Sequence, residues 1–98
     1  MPTINSRDLE AKLLLKGFRH ERTTNHKFYV FIHEEIKTRA WTKISIGPAY
    51  DLRNTLITTT CKQMMLSRPD LYRFVDCSLS KEDYTNLLIK QGVIRQCS

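Results

Sequence analysis

Glycine and proline are scarce in this 98-residue chain, three of each, which excludes collagen-like and low-complexity disordered classes. Long apolar runs are missing as well. The longest, Phe28-Tyr29-Val30-Phe31-Ile32, has five residues, against the roughly 20 that a membrane-spanning helix needs. Met1 to Asp8 lacks the apolar centre of a signal peptide, so the expectation is a cytoplasmic protein with no membrane partner. Cysteine is sparse and odd in number: Cys61, Cys77 and Cys97 are widely spaced and form no C-x-x-C pair, which points to reduced thiols. No zinc-finger spacing links them to His20, His26 or His33, so no metal and no cofactor are expected. There is no nucleotide-binding glycine loop, serine elbow, H-E-x-x-H helix or paired-carboxylate pattern.

What is present fits one compact domain spanning residues 1–98. Hydrophobic residues make up 41% and charged residues 27%. A chain of this length buries a thin but adequate core. Sixteen Lys and Arg against ten Asp and Glu give a net charge of +6. The excess is uneven: residues 1–50 hold nine bases and five acids, residues 51–98 seven and five. Between Lys16 and Lys27 lie four bases, one acid, His20 and His26. Such a cluster attracts phosphate-rich partners through a salt-dependent term.

The order of elements reads α-β-β-β-α with a helical extension. Ser6 is placed to cap a first helix over residues 7–16, with Leu9, Leu13 and Leu14 on its buried face and Gly17 at the stop. A short strand follows over 18–22. The strongest strand signal is 27–33, where alternation puts Phe28, Val30 and Ile32 on one face and Tyr29, Phe31 and His33 on the other. The charged segment 34–39 reads as the hairpin connection. Residues 40–46 alternate again, with Thr42, Ile44 and Ile46 inward and Trp41, Lys43 and Ser45 outward. A helix is expected from Tyr50 to about Leu66, broken at residues 67–70, then a helical turn over 71–75. A last helix is capped by Ser80, with Asp83 completing a capping box and Gly92 at its end. The core spans about residues 6–66 and the extension about 67–92. Three antiparallel strands under helices make an α+β sandwich in the order of double-stranded-RNA-binding domains.

One constellation carries chemistry: Gly17-Phe18, then Arg22, then Asn25-His26 leading into the strand at Lys27. An imidazole, with an ordinary pKa of about 6.5, exchanges a proton with an RNA 2′-hydroxyl near neutral pH. Arg19, Arg22, Asn25, Lys27 and Lys43 are the candidate RNA contacts, the Arg and Lys among them as cations that hold a phosphate and stabilise charge on its oxygens. Tyr29, Phe31 and Trp41, sharing one strand face with Lys43, form a candidate face for stacking unpaired bases or for meeting a partner, including a second copy; the alternative is that the helix containing Tyr84, Leu87 and Leu88 covers it.

These residues resemble a known family. Gly17-Phe18…Arg22…Asn25-His26 followed by a strand is similar to the Gly-Phe…Arg…(Gly/Asn)-(Ser/His)-His signature of HicA-type toxins, small ribonucleases of bacterial and archaeal toxin–antitoxin systems. Gln63-Met64-Met65-Leu66 and Asp76-Cys77-Ser78-Leu79-Ser80…Tyr84 resemble a longer prokaryotic subgroup, so that the likeness spans most of residues 9–92. Where that subgroup has Ser-His-Gly, this chain reads Ser45-Ile46-Gly47. The resemblance implies a dsRBD-like fold, RNA as substrate, His26 as the catalytic position of a metal-independent endoribonuclease, and a HicB-like antitoxin as partner. The residues themselves leave two alternatives open, a non-catalytic nucleic-acid-binding module and a protein-interaction domain on the same fold.

Overall fold

The computed structural model describes residues 3–22, the Arg22 side chain excepted, and residues 26–94. Asn25 and Cys97 lie outside the described residues. The elements in chain order are β1 (Ile4–Asn5), α1 (Ser6–Leu15), β2 (Phe18–Arg22), β3 (His26–His33), β4 (Ile36–Ser45), β5 (Asp51–Leu52), α2 (Asn54–Met64), α3 (Arg68–Val75) and α4 (Lys81–Lys90). The fold is α+β. Its main sheet is antiparallel with order β2-β3-β4, and β1 pairs β5 in a separate two-stranded ribbon. No described helix is long and apolar enough to cross a membrane.

Local chemistry explains most boundaries. Asn5, rather than Ser6, caps α1: its side chain accepts from the Arg7 amide at 2.9 Å. Ser6 is buried instead, and its hydroxyl accepts from the Tyr50 amide at 3.0 Å, which ties the start of α1 to the end of the β4–β5 connection. Gly17 sits at φ +96°, and a Cβ there would lie 2.9 Å from Lys81 Cε and 3.2 Å from Phe31. Its backbone angle therefore requires glycine, and the Phe31 ring tightens the fit. Ser67 caps α3 with Pro69 in the first turn, lengthening the expected single turn to eight residues. The Ser80–Asp83 capping box is complete on both sides.

The β3–β4 connection is shorter than charge alone suggests. Glu34 and Glu35 form a two-residue turn, both at positive φ (51° and 66°), and His33 pairs directly with Ile36. Strand β4 thus begins at Ile36, with an irregularity opposite Phe31.

The buried face of the sheet consists of Phe18, Tyr29, Phe31, Ala40, Thr42 and Ile44. This reverses the expected faces of β3: Tyr29 and Phe31 point into the core, while Phe28 and Val30 lie on the opposite face. The run Phe28–Ile32 is apolar on both sides, so alternation cannot orient it, and its register with β4 decides. Tyr29 pairs with Thr42, whose hydroxyl donates to Gln63 of α2 at 2.9 Å, and this brings Tyr29 under the helices. Phe31 joins Phe18, Phe74 and Tyr84 in a ring cluster with centroids 5.0–6.0 Å apart. The Tyr84 hydroxyl donates to the Met64 carbonyl at 2.7 Å. Two further expectations fail at edges. Leu14 is 53% exposed beside the buried Leu13, and Ile46 is 40% exposed because it follows the end of β4.

Lys16 is buried. Its ammonium donates to the carbonyls of Phe74 and Leu79, the latter at 2.7 Å, and lies 4.7 Å from the Phe74 ring centroid. The lysine thereby satisfies an orphan carbonyl in the last turn of α3 and one in the following loop. Desolvation lowers its pKa, which the neighbouring Cys77 and Asp76 partly oppose.

Candidate nucleic-acid interface

His26 opens β3 and pairs with Ser45 at the end of β4. It lines a cleft of about 250 Å³ between the end of β4 and α2, together with Lys43, Ser45, Tyr50, Leu56, Thr59, Thr60 and Gln63. The imidazole is half-buried and meets the Phe28 ring edge-on at 6.4 Å. The Tyr50 hydroxyl accepts from the Ser45 amide at 3.1 Å, which fixes the phenol in the cleft and leaves its own proton to donate. A histidine, an ammonium and several hydroxyls thus line one hollow. Of the expected RNA contacts among the described residues, Lys43 is the one that shares this hollow with His26.

Lys27 does not. Successive strand residues point to opposite faces, and Lys27 turns toward α1, where its ammonium lies 3.1 Å from Glu10. The same carboxylate accepts a short hydrogen bond from the Tyr29 hydroxyl. Burial raises the Glu10 pKa, but the hydrogen bonds from Tyr29 and Lys27 and the charges of Lys27 and Arg7 outweigh it and hold it below the ordinary carboxylate value. Burial first, then Glu10, push the Tyr29 phenol well upward. His20, not the cleft, stacks on this tyrosine at 5.1 Å. Lys27 is therefore a neutralised structural cation rather than a phosphate grip.

The aromatic face is also redistributed. Trp41 and Lys43 are on the open side of the sheet as expected, but Tyr29 and Phe31 are sealed beneath α1 and α4, and Phe28 takes their place. Directly opposed residues share a face, so Arg19, Val30 and Trp41 form one row across the open side and Glu21, Phe28 and Lys43 the next. Phe28 and Trp41 stack with centroids 5.7 Å apart and planes inclined at 28°. Lys37 spans β3 to reach Glu21, with its Nζ 2.7 Å from Oε1 and 2.8 Å from Oε2. Arg19 is exposed in the row beside the rings. The backbone of Arg22 pairs with Lys27 at the sheet end.

The chain matches no family model, no curated protein and no solved structure. The site must stand on its own chemistry. Among the described residues, no group of three or more His, Cys, Asp or Glu side chains is arranged to hold a metal ion. The residues that sequence reasoning passed over are Phe28, Tyr50 and the Glu21–Lys37 pair. Phe28 was assigned inward by alternation. Tyr50 was read as the start of a helix, whereas the β1–β5 ribbon holds it extended before α2 begins. A Glu and a Lys 16 residues apart carry no local signal of pairing.

Proposed function

We propose that the protein binds RNA across the open side of its sheet and cleaves it at the His26 cleft without a metal. The observation that carries this reading is the shared hollow of His26 and Lys43, continuous through Lys43 and Phe28 with the aromatic rows. In the reaction, the His26 imidazole takes the proton of a 2′-hydroxyl, whose oxygen attacks the adjacent phosphorus. The bond to the 5′-oxygen breaks, that oxygen takes a proton from solvent, and a 2′,3′-cyclic phosphate remains. Lys43 stabilises the charge that builds on the phosphoryl oxygens. The Tyr50 hydroxyl donates a hydrogen bond within the same hollow. The net charge of +6 brings the polyanion to the surface.

The likeness to HicA-type toxins supports the same reading from the sequence side. It brings the finer assignments with it: a dsRBD-like arrangement, membership of the longer HicA-like subgroup, a HicB-like antitoxin as partner and a cytoplasmic site of action. His26 would then serve as the acid–base group in a site where Ile46 stands in place of the subgroup's histidine.

The test is incubation of end-labelled single-stranded RNA with the purified protein in EDTA. Cleavage with cyclic-phosphate ends is expected, with His26→Ala reducing the rate at least about 100-fold while far-UV circular dichroism and RNA retention are kept. Equal cleavage by His26→Ala would overturn the site. Salt-dependent retention with no product from the parent protein would leave the non-catalytic binding module as the function.

A further inference from the structure

The open side of the sheet holds a second hollow, apart from the His26 cleft. Its apolar surface is Val30 with the stacked rings of Phe28 and Trp41, and its rim is Glu21, Lys37 and Thr38, an open depression of about 420 Å³. Two aromatic rings beside exposed cations suit a nucleobase, because every base has a π-face and its strand carries the complementary charge. Arg19 and Lys43 end the two rows on which the rings lie, and Glu21 is the one acid in those rows. That acid is the distinctive feature of the site, since a plain phosphate groove has no use for it.

Glu21 is held ionised. The hydrogen bond from Lys37 keeps its carboxyl below the ordinary value; desolvation opposes it, and the charges of Lys37 and Arg19 add to the lowering. The ammonium directs its hydrogen bond to Oε2 at 2.8 Å. Oε1, though 2.7 Å from the same nitrogen, is covered and accepts no well-directed hydrogen bond among the described residues. A carboxylate accepts only, through two oxygens side by side. Its natural complement is a pair of adjacent donors. Of the four RNA bases, guanine presents such a pair, N1–H and the N2 amino group, on the edge used for Watson–Crick pairing. Its O6 stands beside them as an acceptor for an ammonium. Unpaired bases are read on that edge by just such groups while stacked on aromatic side chains.

We propose that this hollow takes one unpaired guanine of an RNA strand, stacked against the Trp41–Phe28 pair, with Lys37 drawn off the carboxylate onto its O6 so that the uncovered Glu21 oxygens accept from its N1–H and N2 amino group. The proposal rests on the RNA-binding reading above and narrows the substrate to single strands containing guanine. In a duplex the same edge is already paired and the base stack is closed. Lys43 lines the His26 cleft and shares a row with Glu21 and Phe28 of this hollow, so a strand seated by its guanine passes the His26 cleft.

Trp41 is the only tryptophan in the chain, so its emission reports occupancy of this hollow directly. The experiment titrates the protein carrying His26→Ala, to prevent cleavage, with uridine hexamers holding a single central G, A or C. A fourth titration uses the G hexamer annealed to its complement. Quenching by the single-stranded G hexamer is expected at about tenfold lower concentration than by the others. Glu21→Gln, which retains the rings, should bring G to the level of A while quenching persists. Equal quenching by all three single strands, a preference for C, or an unchanged G preference in Glu21→Gln would each overturn the proposal. RNA retention on a filter without change in Trp41 emission would overturn it too and leave the broader RNA-binding reading standing. A concentration-dependent dimer in which Trp41 is already quenched, with no RNA retained, would assign the face to a second copy and sink both. Absence of cleavage by the parent protein, with the G-selective quench intact, would count only against the His26 mechanism.

Discussion

Glu10 shows how a single residue distributes the charges of this protein. Its carboxylate, 19% exposed, takes hydrogen bonds from both Tyr29 and Lys27, so one acid anchors α1 to β3 and withdraws a cation from the surface. Its pKa in the folded state is lowered below 4.5, because these partners outweigh the upward pull of burial. A depressed carboxyl contributes stability in full above its unfolded value, and that contribution fades as pH falls through the folded value. Glu10→Gln should therefore cost about 1 kcal/mol at pH 7, a figure reduced for partial exposure. The cost should shrink as pH falls through the folded value, as Glu10 itself becomes protonated. Urea midpoints of parent and variant across this range check it, and a gap independent of pH would contradict the assignment. Lys27 was a natural candidate for phosphate binding because its charge is visible in sequence and its face is not. Lys43 differs from it only in lying on the other side of the sheet.

At the scale of elements, the segments with chemically unambiguous ends were legible. The Ser80–Asp83 box and the strand at Phe18–Arg22 stand where composition places them. The faces of β3 were not, since Phe28–Ile32 offers two apolar sides and only pairing with Thr42 selects one. The two-residue ribbon of β1 and β5 joins segments 46 residues apart, with no periodicity to announce it. For the candidate site the consequence was direct. His26, Lys43 and Trp41 were placed on useful surfaces, whereas Tyr29 and Phe31 exchanged roles with Phe28 once the register was set. The hairpin turn is the clearest conflict between local preference and the fold. Glu34 and Glu35 both adopt the left-handed region, which side chains with a Cβ disfavour, and the register on either side forces it. The 3.9 Å approach of His33 to Glu34 at the surface returns little. Replacing the pair by Asn-Gly should raise stability by about 1 kcal/mol, read as a higher urea midpoint with the far-UV spectrum unchanged. A lower midpoint would mean that the turn is of another type.

Over the whole molecule, the segment after Leu66 is part of the core rather than an appendage. Phe74 of α3 and Tyr84 of α4 share the ring cluster with Phe18 and Phe31 of the sheet. Lys16, at the end of α1, ends its side chain on carbonyls of Phe74 and Leu79. Gly17 is held against Lys81 and Phe31. These contacts seal one side of the sheet, while the Phe28 and Trp41 rings stay half-buried on the other. They also couple the helices to the sheet in a single folding unit. Trp41, on the open side, and helical ellipticity should then be lost together in urea, as a two-state domain requires. Phe74→Ala leaves a cavity at the centre of the ring cluster and should lower stability by about 3–5 kcal/mol. Because the cluster spans both halves, the Trp41 emission and the 222 nm ellipticity should shift to the same lower midpoint. If ellipticity moved while Trp41 kept the parent midpoint, α3 and α4 would be a separately melting unit, and the open side of the sheet would owe its shape to α1 and α2 alone.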